Sequence, residues 1–302
     1  HNDAYVETLE KQLHKLRITL VLKEDHTYPA LLHHIPSPPT LLYVEGVLPP
    51  PEKPAVAVGG TRQRTAYGRE ACRTLVHALS EAGIPIISGL AVGIDTEAHK
   101  TALAAHGYTA AILGSGNEWG VLYPASNKRL ADEIVAKGGA LISEYPPHTK
   151  AAQWTFPLRN RIIAGLSTAV LVVEAREKSG TLITARNALE CGRDVFAVPG
   201  PIFSAASKTP HALIRDGAML ISSPDDMFQA LGMAPPLASS TKTAEHLSAM
   251  ERMVLELLLE PRGANDIARV LEKRIGEIQQ TLALLEIHGM VRNTGSGIYR
   301  KI

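Results

Sequence analysis

Between Ala55 and Ser222, short runs of apolar residues alternate with amphipathic stretches, and several of the runs end in glycine. The runs are "AVAV" (Ala55–Val58), "IPIIS" (Ile84–Ser88), "YTAAIL" (Tyr108–Leu113), "ALISE" (Ala140–Glu144), "TAVLVVEA" (Thr168–Ala175), "DVFAVPG" (Asp194–Gly200) and "AMLIS" (Ala218–Ser222). Each has the length of a strand, and none alternates apolar with polar. A strand that is apolar on both sides belongs in a sheet covered on both faces. Helical spacing over about Tyr67–Ala82, Thr96–His106, Ser126–Lys137 and Leu182–Glu190 supplies the covering layers. The expected fold class is α/β: an extended Rossmann-like, doubly wound, mostly parallel sheet.

The flanks divide the chain further. Residues 1–54 combine a short helix with a proline-rich stretch and read as an N-terminal adaptor. Residues 55–232 form the Rossmann-like domain. Residues 233–244, "MAPPLASSTKTA", read as a linker. Residues 245–302 give three helical patterns and two short strands around "TGSG", the order of a small winged-helix domain. Its third helix offers Arg274, Glu277, Gln279 and Gln280, a thin set for reading duplex DNA, so DNA and protein partners are equally open.

Composition narrows the functions. Net charge is +1, so a polyanion would need a local patch. The two cysteines, Cys72 and Cys191, are too far apart in sequence for a metal or redox motif. Cys72 shares a helical face with Leu75, Val76 and Leu79 and reads as buried. There is no membrane-length apolar stretch and no signal-peptide pattern, so the cytoplasm is the expected compartment. No P-loop, G-x-G-x-x-G turn, G-x-S-x-G elbow or metal-ligand spacing occurs, and neither a catalytic residue nor a cofactor or metal is expected. In "GIDTEAH", Asp95 reads as the cap of the next helix and His99 as a packed residue.

Unusual residues gather where a doubly wound sheet binds ligands, at the carboxyl ends of strands. "GGTR" (Gly59–Arg62) follows the first run, "SGLAVGID" (Ser88–Asp95) the second, "GSG" (Gly114–Gly116) the third, and "EAREKSGT" (Glu174–Thr181) ends the fifth. Glycines allow close backbone approach, and helix N-termini favour anions. "FPLRNRIIAG" (Phe156–Gly165) reads as a helix start anchored by Ile162 and Ile163, with Arg159 and Arg161 at its mouth. Arg62, Arg159 and Arg161 can neutralise phosphates. Phe156 or Trp154 can stack on bases, although either ring could equally pack in the core.

Taken together, these segments resemble the DNA processing protein A family, also called Smf. The similarity is carried by "AVGGTRQRTAYG", "IISGLAVGIDTEAHKTAL", "YPASNKRL", "LISEYPP", "FPLRNRIIAGLSTAVLVVEA", "SGTLITARNALECGRDVFAVPG" and "LIRDGA", which run in the family's order. The resemblance implies a non-enzymatic, single-stranded DNA-binding protein of natural transformation. It implies a homodimer that protects incoming strands and helps load the recombinase RecA. The DNA-binding residues it implies are Gly60, Thr61, Arg62, Gly89, Phe156, Arg159, Asn160, Arg161, Ser179, Gly180 and Thr181. The family's G-x-N is replaced by Thr209, Pro210 and His211, and the family's helical N-terminal domain is missing or only partly represented before residue 55. Two other classes stay in view. A nucleotide phosphoribohydrolase similar to the LOG enzymes would need a glutamate where Thr184 stands, and a winged-helix regulator would need a more basic C-terminal domain.

Overall fold

Ile18–Leu22 (β1) and Leu41–Gly46 (β2) form an antiparallel pair, and seven further strands join them in one sheet in the computed structural model of the chain. These are β3 (Val56–Gly59), β4 (Ile86–Ser88), β5 (Thr109–Ile112), β6 (Ala140–Ser143), β7 (Ala169–Val172), β8 (Asp194–Ala197) and β9 (Met219–Leu220). The structure describes residues 3–177, 179–234, 247–288, 290–295 and 297–301. Each apolar run of the sequence supplies one of the strands from β3 to β9.

The sheet order is β1-β2-β6-β5-β4-β3-β7-β8-β9. From β6 to β9 every neighbouring pair is parallel. Starting at β3, the chain builds outward through β4, β5 and β6. It then returns to the other side of β3 to build β7, β8 and β9. The direction of winding therefore reverses between β3 and β7, and doubly wound sheets open a ligand crevice at such a point.

Helices cover both faces: α1 (Asp3–Leu16), α2 (Ala66–Glu81), α3 (Ile94–Ala104), α4 (Lys128–Ala136), α5 (Thr155–Gly165), α6 (Gly180–Glu190), α7 (Lys208–Arg215) and α8 (Pro224–Ala230). Successive strand residues enter different cores. Val56 and Val58 pack with Leu75, Val76 and Leu79 of α2. Ala57, Val170 and Val172 pack in the cluster that holds Ile162 and Ile163 of α5. Each such aliphatic side chain, fully buried, contributes about 1.5–3 kcal/mol. Cys72 is fully buried in the α2 layer, as its helical spacing predicts.

The adaptor expected over residues 1–54 is corrected by this topology. β2 pairs antiparallel with β6, from Tyr43 opposite Ser143 to Gly46 opposite Ala140, so the segment extends the sheet itself. Its proline-rich stretch, residues 28–50, contains β2 and masks the pattern of that strand.

A separate compact unit begins at residue 237. It contains α9 (Ala249–Leu257), β10 (Arg262–Gly263), α10 (Ala264–Val270), α11 (Ile275–Ile287), β11 (Val291–Gly295) and β12 (Ile298–Lys301). Val254, Leu258, Ile267, Ile278, Leu282 and Leu285 fill its core. β12 lies between β10 and β11, so a third short strand joins the expected hairpin. From residue 235 onward, the expected linker falls outside the described residues.

Candidate nucleic-acid interface

The turn after β3 has room only for glycine at residue 60. A Cβ there would stand 2.6 Å from Ile94 Cγ1 and 2.8 Å from the Glu174 carbonyl oxygen. The close approach lets the Thr61 N–H donate to that carbonyl at 2.6 Å, while the Thr61 carbonyl accepts from Ile94 N at 3.2 Å. Thr61 is thereby buried and pinned from both sides, and Arg62 is turned out into solvent. The Arg62 guanidinium carbon stands 5.9 Å from the Phe156 ring centroid. Among the described residues no carboxylate forms an ion pair with Arg62.

Glu174 secures the other side of the same turn. It is buried at the end of the β7 run, and its carboxylate accepts from Thr65 Oγ1 at 2.6 Å and Thr65 N at 3.0 Å. Thr65 in turn caps α2 by accepting from Gly68 N. Sequence reading missed this role. A lone carboxylate closing an apolar strand was the available signal.

Asp95 is also buried, and its task differs from the expected helix cap. Its Oδ2 accepts from Gly89 N at 3.1 Å and Ala91 N at 3.3 Å, so it holds the loop that precedes α3. Burial raises its pKa, against the pull of the Arg159 charge. Arg159 is only 5% exposed. Its Nη1 donates to the Gly89 carbonyl at 2.9 Å and also to the Ile112 carbonyl, which ties the ends of β4 and β5 to α5. Burial lowers the guanidinium pKa to about 10, offset in part by Asp95. It therefore stays charged at neutral pH beneath the crevice.

This corrects the picture of two arginines at a helix mouth. α5 begins at Thr155, so both arginines lie within it. Arg161 bonds Glu144 at 2.5 Å and does not line the crevice. His99 packs as expected: it is fully buried, with Nδ1 2.7 Å from Thr109 Oγ1. Burial lowers its pKa to about 3, helped by the nearby Arg159 charge.

The crevice has a volume of about 710 Å³. It gathers Gly60, Thr61, Arg62, Gly89, Phe156, Arg159, Asn160, Ser179, Gly180 and Thr181, which is every expected site residue except Arg161. Phe156 is half-buried and packs against Tyr123 with ring centroids 5.5 Å apart. Trp154, 61% exposed, lies edge-on to Tyr145 and is not a core residue. Ser179 caps α6, accepting from Thr181 N at 3.2 Å, so the helix N-terminus opens on the crevice. Tyr123, Gln153 and Arg176 also line it and were missed from sequence. "YPASNKRL" drew attention to Tyr123 without placing it. Thr184, standing where the phosphoribohydrolase pattern has glutamate, is buried and lines the crevice.

One glycine turn is architectural. A Cβ on Gly114 would lie 2.7 Å from the Phe156 ring, and one on Gly116 would lie 2.2 Å from the Pro146 and Pro147 carbonyls. Neither glycine lines the crevice. Where the family's G-x-N is replaced, Thr209, Pro210 and His211 lie in α7: Thr209 Oγ1 donates to the Arg176 carbonyl at 2.7 Å, and His211 Nε2 lies 2.9 Å from the Gly200 carbonyl.

Comparison with known proteins agrees with this architecture. The family model described as DNA recombination-mediator protein A matches residues 19–232. The DNA processing protein DprA of Bacillus subtilis is 44% identical over 68% of this chain and 68% of its own length. Protein Smf of Escherichia coli is 43% identical over 70% of this chain, which spans only 56% of that protein. The X-ray structure of DNA processing protein A from Streptococcus pneumoniae superposes with a TM-score of 0.67 at 41% identity, covering 73% of this chain and 77% of that one. DNA processing protein A from Helicobacter pylori, solved for its single-stranded DNA binding mode, gives 0.62 at 28% identity, covering 72% and 97%. On its matched sequence and its superposed fold, this chain belongs to the DNA recombination-mediator protein A family.

Proposed function

We propose that the crevice binds single-stranded DNA without sequence preference, as a step in DNA processing during natural transformation. The observation that carries this reading is the pairing of Arg62 with Phe156. An exposed cation, without a carboxylate partner among the described residues, stands over a half-buried ring, beside the N-terminus of α6. A strand bound without regard to sequence needs phosphate neutralisation and a flat surface for bases, and this arrangement offers both. The single-stranded DNA binding of the Helicobacter pylori relative supports the same ligand.

The protein acts as a binder and not as an enzyme in this proposal. The buried carboxylates nearest the crevice, Asp95 and Glu174, are committed to backbone N–H groups and to the Thr65 hydroxyl. Family membership extends the proposal to a homodimer that protects incoming strands and helps load the RecA recombinase. The unit beyond residue 237 is read as a winged-helix accessory. A gel shift of the full chain with oligo-dT, against duplex of equal length, tests the reading. Preference for the single strand is expected. Equal affinity for the duplex, or turnover of a nucleoside monophosphate at low protein concentration, would overturn it.

A further inference from the structure

The loop that leaves β5 reaches the crevice at Tyr123, which packs on Phe156. Four residues earlier the same loop carries Trp119, a large apolar side chain that is 49% exposed. The Lys128 Nζ, from the first residue of α4, stands 5.4 Å from the Trp119 ring centroid. Among the described residues no carboxylate pairs with Lys128. The adjacent acid, Glu118, is already held by His148 Nδ1. Phe203 is another bare aromatic on a strand-end loop, 96% exposed, but among the described residues no cation stands over its ring.

We propose that Trp119 and Lys128 form a second subsite for single-stranded nucleic acid outside the crevice, taking one base on the indole and its phosphate on the ammonium. The inference rests on the single-strand reading of the crevice. An indole with a cation over it repeats, further along one loop, the pairing of Phe156 with Arg62. Base stacking and phosphate neutralisation are the two terms that sequence-tolerant strand binding requires, and an exposed ring provides stacking with any base. Tyr123 lies between Trp119 and Lys128 in sequence and packs on Phe156 of the crevice pair. In this proposal a strand that leaves the crevice past Tyr123 is carried on to Trp119, four residues away on the same loop.

The test uses the full chain and two oligo-dT strands, of about 4 and about 16 nucleotides, the range of site sizes for a groove of this kind. Trp119→Ala is expected to weaken the longer strand about 5-fold or more and to leave the shorter one unchanged. Trp119→Phe should restore most of the loss. Lys128→Ala should lower the slope of log affinity against log salt by about 0.7, on the longer strand only. The chain has two tryptophans, so Trp154→Phe leaves Trp119 as the sole indole. Its fluorescence should be quenched by the longer strand and not by the shorter. Equal effects of Trp119→Ala on both lengths, or none on either, would overturn the subsite, the second result leaving the indole to a protein contact. If Arg62→Ala is silent on both lengths while Trp119→Ala weakens the longer strand alone, the crevice reading fails and the subsite stands. If the unmodified protein binds neither strand, both fail.

Discussion

Arg159 and Arg161 stand two residues apart on α5 and share no partner. Arg159 is buried against the Gly89 and Ile112 carbonyls, whereas Arg161 bonds Glu144. A step of two residues turns a helix by about 200°, so the two guanidinium groups leave on opposite sides. Only one of them reaches the crevice, and it does so from beneath.

Arg159→Ala is therefore expected to act through stability. It removes the charge that faces Asp95 and leaves two carbonyls without a donor. The cost should be about 3–5 kcal/mol, measured by urea unfolding. Arg161→Ala removes a half-buried ion pair and should cost about 1 kcal/mol. It should leave the salt dependence of single-strand binding unchanged.

Arg62→Ala should show the reverse pattern. Arg62 is exposed and its guanidinium rests over the Phe156 ring, so the melting temperature should stay within error of the parent. Affinity for oligo-dT should fall. The slope of log affinity against log salt should drop by about 0.7, the share of one phosphate contact. Titrations at several salt concentrations check both.

Two glycines of the crevice should separate packing from ligand approach. A Cβ on Gly89 would stand 2.7 Å from the Arg159 guanidinium, which is itself anchored. Gly89→Ala should cost about 1–3 kcal/mol. Nothing lies within 4 Å of a Cβ placed on Gly180, at the start of α6. Gly180→Ala should be neutral or stabilising by up to about 1 kcal/mol. Thermal melts of both variants compare them directly.

His99 should leave a mark on the pH dependence of stability. Its folded pKa lies near 3, below its ordinary value of 6.5. The unfolded chain therefore binds the extra proton first as pH falls. The His99 contribution is complete above about pH 6.5 and is lost progressively down to about pH 3, at up to about 1.4 kcal/mol per pH unit. The buried Asp95, whose pKa is raised, works in the opposite sense. Unfolding free energies of the parent and of His99→Gln across this window should differ in slope by about one proton.

Removing residues 237–302 should leave oligo-dT affinity largely intact, because the crevice is built within the first unit. Loss of all binding would move the site to the second unit. A gel shift on the two proteins decides it.

The sequence by itself determined the strands from β3 to β9, the helices between them apart from α7, and the glycine turns. Each depends on local periodicity or on the conformational freedom of one residue. The resemblance of its segments to a known family also pointed to ten residues that meet in one crevice. Only the tertiary structure decided which arginine of "RNR" turns inward, since both lie on one helix and burial depends on distant strands. It drew β1 and β2 into the sheet through pairing with β6, about a hundred residues away. It likewise gave Glu174 to the N–H and hydroxyl of Thr65, 109 residues away. Local patterns carry the period of an element, while the partner of a buried charge is chosen by contacts that no local pattern encodes.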